Sequence, residues 1–196
     1  MAQEVTGGTG ATPHPGEGRL RALVITVSDG VAAGMRQDSS GDGLERRLEE
    51  LGFAVDRAVV PDEAPDIERL LRKGAERHGL ILTTGGTGLT PRDVTPQATL
   101  AVIEYEVPGL PELMRAEGGN SNPYAYLSRS VAGVVNRCLV INLPGSPRGA
   151  IESLAAVEPI LDHALTTLTG PFDHDQELAE RAPGGDPATG AHHHDS

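Results

Sequence analysis

The stretch Leu80-Ile81-Leu82-Thr83-Thr84-Gly85-Gly86-Thr87-Gly88-Leu89-Thr90-Pro91-Arg92-Asp93-Val94-Thr95-Pro96 decides how the rest of this chain is read. It opens as a short apolar run, as a buried strand does. Three glycines follow within four positions, then an Arg-Asp pair. At Thr95-Pro96 a helix is expected, since threonine can cap and proline fits the first turn. Strand, glycine turn and helix start together form an anion pocket: the turn amides lie open, and glycine lets a phosphate approach closely. Asp93 would repel that phosphate unless a divalent cation lay between them. The segment is not a P-loop, because no lysine follows Gly88. Nor is it a dinucleotide fingerprint, because Gly-Gly-Thr-Gly runs on to Pro91 rather than to a properly spaced glycine.

Working outward, three more apolar runs end in polar turns. Ala22–Val27 leads to Ser28-Asp29-Gly30, Phe53–Val60 to Pro61-Asp62-Glu63, and Leu139–Leu143 to Pro144-Gly145-Ser146-Pro147. Helical spacing separates them, in Leu44, Leu48 and Leu51, in Ile67, Leu70, Leu71 and Ala75, and in Ile151 through Leu168, with a kink expected at Pro159. Strands apolar throughout, alternating with helices, predict a three-layer αβα fold around a mostly parallel sheet. Such sheets bind ligands beyond the carboxyl ends of their strands, so all four polar clusters are expected on one edge. Between Val107 and Asn136 the pattern is less regular. A short helix is expected over Pro111–Glu117, a loop over Gly118–Pro123, helix over Tyr124–Arg129, and a hairpin pairing Val131–Val135 with the run at Leu139.

Residues 1–18 carry five glycines and two prolines, and residues 173–196 carry six acids against the single base Arg181. Both segments are expected to be disordered tails around one domain over residues 19–172. Residues 1–18 account for −2 and residues 173–196 for −5 of the formal charge of −12, leaving −5 on the central part. With no basic stripe, nucleic-acid binding is not expected. Small anions remain accessible to loop amides, a few arginines and a metal ion. Cys138, the one cysteine, lies in an apolar run and reads as a small buried hydrophobe. The absence of disulfides, of a signal peptide and of any apolar run long enough to span a bilayer gives the expectation of a cytoplasmic protein. His192–His194 read as low-complexity tail or vector remnant.

Asp62 and Asp93 are the leading chemical candidates, each on a strand-to-helix turn. Two carboxylates on one edge can serve as acid and base, or can jointly hold Mg²⁺; the phosphate-binding turn beside Asp93 favours the metal. Each is also a residue type that turns favour for its own hydrogen bonds. Ser128-Arg129-Ser130 and Ser146-Pro147-Arg148 pair hydroxyls with a guanidinium, which suits phosphate, although Ser146 can equally cap the last helix. A Gly-x-Ser-x-Gly elbow does not occur, and His78 and His163 have no ligand spacing.

Taken together, Thr83–Gly88, Arg92–Pro96, Pro61-Asp62-Glu63, Leu127–Ser130 and Asn142–Pro147 resemble the molybdopterin adenylyltransferases. These are the Mog/MoaB-like proteins, similar to the G domains of gephyrin-type enzymes. The resemblance runs from about Leu20 to Pro171 and implies that Asp62 and Asp93 are the essential aspartates. It implies Mg²⁺ as cofactor, ATP and molybdopterin as substrates, and adenylylation of molybdopterin with release of pyrophosphate. A homotrimer and a molybdenum insertase partner are implied as well. The ligand-binding set expected on this reading is Ser28, Thr84, Gly85, Gly86, Thr87, Gly88, Ser128, Arg129, Gly145 and Ser146, with Arg92 or Arg129 offsetting phosphate charge. Two rivals stay open: a molybdopterin-binding scaffold without catalysis, and a nucleotide pyrophosphatase or amidase of the same fold.

Overall fold

The computed structural model describes residues 20–170. The expectations for the two tails and for His192–His194 lie outside these residues. The chain begins with β1 (Arg21–Val27), a short α1 (Asp29–Ala32), α2 (Ser39–Glu50) and β2 (Ala54–Val60). It continues through α3 (Ala64–Ala75), β3 (Leu80–Thr84), α4 (Thr95–Leu100), β4 (Tyr105–Glu106) and α5 (Gly109–Ser121). A 3₁₀ turn (Pro123–Leu127), β5 (Ala132–Val135), β6 (Cys138–Leu143) and α6 (Pro147–Thr169) complete it.

Six strands form one sheet in the order β2-β1-β3-β6-β5-β4. The first four are mutually parallel, while β5 runs antiparallel to β6 and β4 to β5. Side chains of the central strands divide with a period of two. Ala22, Val24, Leu80, Leu82, Leu139, Ile141 and Leu143 join Leu44, Leu48, Leu154, Leu161 and Leu165 in one core layer. Leu23, Ile25, Val27, Ile81 and Val140 join Ile67, Leu71 and Ala98 in the other. Both sheet faces are therefore covered, and the αβα expectation holds.

Three local expectations need correction. The segment over Gly118–Pro123 is not all loop, because α5 continues through Ser121. Val94 rather than Thr95 stands at the N-cap of α4, with no side-chain capping bond. The hydroxyl of Thr95 instead donates to the Gly85 carbonyl at 2.9 Å. The span Tyr124–Arg129 holds a 3₁₀ turn that ends at Leu127. Pro159 lies inside α6, which continues past it to Thr169. No helix among the described residues is long and apolar enough to cross a membrane.

The polar interior is fully paired: among the described residues no buried side-chain nitrogen or oxygen lacks a hydrogen-bond partner. Asn142, completely buried on β6, donates to the hydroxyls of Thr83 and Thr99, both at 2.9 Å, and accepts from the Val131 amide at 3.3 Å. One amide thus ties β3, α4 and the entry to β5 beneath the ligand edge. At the outer edge of the sheet, Arg57 on β2 pairs with Asp38, Asp42 and Glu45, fastening the start of α2.

Candidate active site

Because β1, β2, β3 and β6 are parallel, their polar turns meet at one edge. The glycine turn is the centre of that meeting. Gly85 and Gly86 have φ of 103° and 63°, in the left-handed region that glycine occupies without steric cost. A Cβ on Gly85 would strike the Val27 carbonyl, and one on Gly86 the Thr95 hydroxyl. Further bonds lock the turn: the Gly85 amide donates to Leu143 O at 3.2 Å, the Thr95 amide to Gly86 O at 3.2 Å, and the Thr84 hydroxyl to Pro144 O at 2.7 Å.

Two cavities open on either side of this turn. One, about 580 Å³, is lined by Gly86, Thr87, Gly88 and Asp93, by apolar Leu89, Met114 and Leu127, and by Arg115, Ser128 and Ser130. The other, about 510 Å³, is lined by Ser28, Arg36, Ser39, Ser40, Asp62, Thr84 and Gly85. Gly86, Gly145 and Ser146 belong to both linings and form a shared wall. The two aspartates sit on opposite sides of it.

Asp62 is held by a reciprocal pair of bonds with Asp29. Its Oδ2 accepts from the Asp29 amide at 2.9 Å, and its own amide donates to Asp29 Oδ1 at 3.0 Å. Oδ1 of Asp62 lies 3.4 Å from where a Cβ on Gly86 would stand, close to the shared wall. Asp93 accepts from the amide and hydroxyl of Thr90 at 2.8 and 2.6 Å. Burial raises its pKa, but those two bonds, the Gly88 amide and the Arg129 charge outweigh it and hold the carboxyl below its ordinary range. Both aspartates therefore make the turn hydrogen bonds their residue type favours while also lining a cavity.

The arginines are placed differently from expectation. Arg92 spans Asp29 at 2.7 Å and Glu63 at 2.9 Å, latching the Asp93 turn to the turns after β1 and β2. That contact is the first cause holding the Asp29 carboxyl low, followed by the bond from the Asp62 amide. Arg129 lines neither cavity; its guanidinium donates to the carbonyls of Gly88, at 2.6 Å, and Asp93, bracing the glycine turn from behind. Arg148 is spent on Glu152 at 2.7 Å. Ser28 and Ser146 line cavities and also cap helices, accepting from Val31 and Gly149 amides. The Ser128 hydroxyl lies 2.7 Å from that of Ser130. Burial pushes the Cys138 thiol up to about 12, in keeping with a small core residue rather than a nucleophile. Arg36 and Arg115, the cations that do line the cavities, escaped the sequence reading. Neither belongs to the glycine turn or to the serine–arginine clusters that stand out in the sequence, so the folded chain is what reveals them.

The fold and site define an α/β protein with two adjacent pockets, sharing Gly86, Gly145 and Ser146, at the carboxyl edge of its parallel strands. Residues 23–163 match the family described as "Probable molybdopterin binding domain", and the chain belongs to that family. It is similar to the molybdopterin adenylyltransferase of Haemophilus influenzae, 41% identical over 144 residues covering 71% of this chain and 73% of that protein. Among solved structures it is similar to the molybdopterin biosynthesis enzyme MoaB of Thermus thermophilus. That match has 51% identity and a TM-score of 0.72, covering 78% of this chain and 98% of the other. The molybdopterin biosynthesis Mog protein of Mycobacterium ulcerans matches with 36% identity and a TM-score of 0.73, covering 76% of this chain and 99% of the other.

Proposed function

We propose that this chain is a molybdopterin adenylyltransferase of molybdenum cofactor biosynthesis. With Mg²⁺ and ATP it transfers AMP to the terminal phosphate of molybdopterin and releases pyrophosphate. The observation that carries this reading is the pair of cavities sharing Gly86, Gly145 and Ser146. Adenylyl transfer joins two anionic substrates at one phosphorus, which calls for two pockets with a common wall. The larger cavity, with Leu89, Met114 and Leu127 beside Ser128, suits a flat ring carrying a phosphate. The smaller one, rich in hydroxyls, suits a polyphosphate. The relative from Haemophilus influenzae carries the same activity in its name.

The chemistry asks little covalent work of the protein. A phosphate monoester is already anionic near neutral pH, so no serine–histidine base is needed. Catalysis rests on holding it in line with the α-phosphorus and on offsetting crowded negative charge. Mg²⁺, when bound, supplies part of that charge. Among the described residues no group of three or more His, Cys, Asp or Glu is placed to hold a metal. Mg²⁺ commonly takes only one or two carboxylates and completes its shell with phosphates and water. Asp62, with Oδ1 beside the shared wall, and Asp93 fit that requirement and would hold the ion together with the substrate's phosphates. The amides of Gly86 and Thr87 and the N-terminus of α6 behind Ser146 orient phosphate between them.

On the same reading the catalytic unit occupies residues 19–172, acts as a cytoplasmic homotrimer and hands its product to a molybdenum insertase. The test is direct: purified protein, Mg²⁺-ATP and metal-free molybdopterin, with the adenylylated product sought by mass. Product that requires all three components supports the reading. ATP left unconsumed in the presence of bound molybdopterin would leave only a binding protein.

A further inference from the structure

Arg36 lies between α1 and α2 and is the only cationic residue among those lining the Asp62 cavity. It is exposed, and among the described residues its guanidinium has no ion pair or hydrogen bond. In this acidic protein most arginines are engaged; Arg21, Arg47, Arg57, Arg69, Arg92 and Arg148 all meet carboxylates. Arg115, the cation of the other cavity, donates to the carbonyls of Ser128 and Ser130 at 3.3 and 3.4 Å. Arg36 is nonetheless not loose. Its amide donates to the Gly30 carbonyl at 3.1 Å, and its Cδ lies 2.9 Å from where a Cβ on Gly30 would stand. Gly30 is a shelf over which the Arg36 stem runs. An uncommitted guanidinium beside the hydroxyls of Ser28, Ser39 and Thr84 and the Gly86 backbone brings together the kinds of donor that a phosphate takes.

We infer that Arg36 is the phosphate-binding side chain of the Asp62 cavity, where it takes the β- and γ-phosphates of the nucleotide. This rests on the adenylyl-transfer reading. In that step an oxygen of the acceptor phosphate bonds to the α-phosphorus while the bond from that phosphorus to the α,β-bridging oxygen breaks. The electron pair leaves with pyrophosphate, so negative charge builds on the group Arg36 holds, and stabilisation there lowers the barrier.

Calorimetric titration of the full chain with inorganic pyrophosphate and with Mg²⁺-ATP tests the assignment. Arg36→Ala should weaken pyrophosphate binding about tenfold. Arg36→Lys should recover part of it, and the melting temperature should not move, since the side chain stabilises nothing else. Gly30→Ala, which displaces the Arg36 stem, should fall between Arg36→Ala and the unaltered protein. In turnover, Arg36→Ala should raise KM for ATP and leave KM for molybdopterin alone. Pyrophosphate affinity that is absent from the unaltered protein, or unchanged in Arg36→Ala, overturns the inference. So does a rise in KM confined to molybdopterin. Arg36-dependent pyrophosphate binding in a protein that forms no adenylylated pterin would keep the site and sink the adenylyl-transfer reading instead.

Discussion

The two cavities differ in what surrounds their aspartates. Around Asp93 the lining includes Leu89, Pro111, Met114 and Leu127, and its one arginine is committed to backbone carbonyls. Around Asp62 the lining includes Ser28, Gln37, Ser39, Ser40 and Thr84 beside Val27 and Val31, with an arginine left unengaged. The first offers surface to a ring; the second offers donors to charge. Of the three residues in the shared wall, Gly86 and Gly145 bring no side chain and Ser146 holds its hydroxyl to the Gly149 amide, which on the proposed reading lets the two substrates meet there. A two-substrate transfer needs that asymmetry, because identical pockets could not tell donor from acceptor.

The sharpest way to break the comparison is to neutralise each aspartate. Asp62→Asn and Asp93→Asn should each lower product formation by about 100-fold or more, while molybdopterin binding stays near normal. If both serve one metal-centred step, the double substitution should be little worse than either single one. Rates and molybdopterin affinity measured side by side decide it. Multiplicative losses would mean that each cavity uses its carboxylate independently.

The shared wall itself comes next. Gly86→Ala forces an alanine to φ near 63° and drives its Cβ into the Thr95 hydroxyl. Thermal unfolding should show a loss of about 1–3 kcal/mol, with binding in both cavities impaired together. Selective loss in one cavity would show that the wall is not common to both. Gly88→Ala is milder. Its Cβ would stand 3.1 Å from Asp93 Oδ2, so the carboxylate must give by a few tenths of an ångström without backbone strain. Turnover should fall about tenfold at unchanged melting temperature, because small misplacements at a reacting centre are costly. An equal effect on pyrophosphate binding in the Asp62 cavity would blur the distinction drawn between the two sides.

How much of this was legible beforehand follows from what each element depends on. β3 reads directly because all five of its residues are buried, and the glycine turn is visible in its own residues. The placing of Asp62 and Asp93 on one sheet edge followed from strand direction, but not their division between two cavities. The two-residue β4 escaped because Tyr105 and Glu106 are both exposed and their pairing with β5 leaves no pattern in composition. The end of α5 escaped because Gly118 and Gly119 look like a loop. In the fold they are bare patches on which Ala125 and Tyr126 pack, and tertiary contact overrides their low helix propensity. Arg36 and Arg115 matter only through where the topology carries them, so neither has a local signal.

The smallest expected effect concerns acid stability, and it separates the aspartates by their surroundings. The Asp93 carboxyl titrates below its ordinary value of 3.8 in the folded chain, its burial being outweighed by Thr90, Gly88 and Arg129. A carboxyl held low contributes stability that is complete above its unfolded value and is lost as the pH falls through the folded one. Asp93 therefore stabilises the fold at neutral pH and stops doing so in acid. Melting temperatures recorded from about pH 6 down to about pH 3 should fall less steeply for Asp93→Asn than for the unaltered chain, with the two curves converging at the acid end. Parallel curves would mean that the Thr90 and Gly88 bonds are as strong to the neutral acid as to the carboxylate. The Asp93 turn would then owe its shape to the brace of Arg129 on the Gly88 and Asp93 carbonyls, and the negative charge would be kept for the ligand alone.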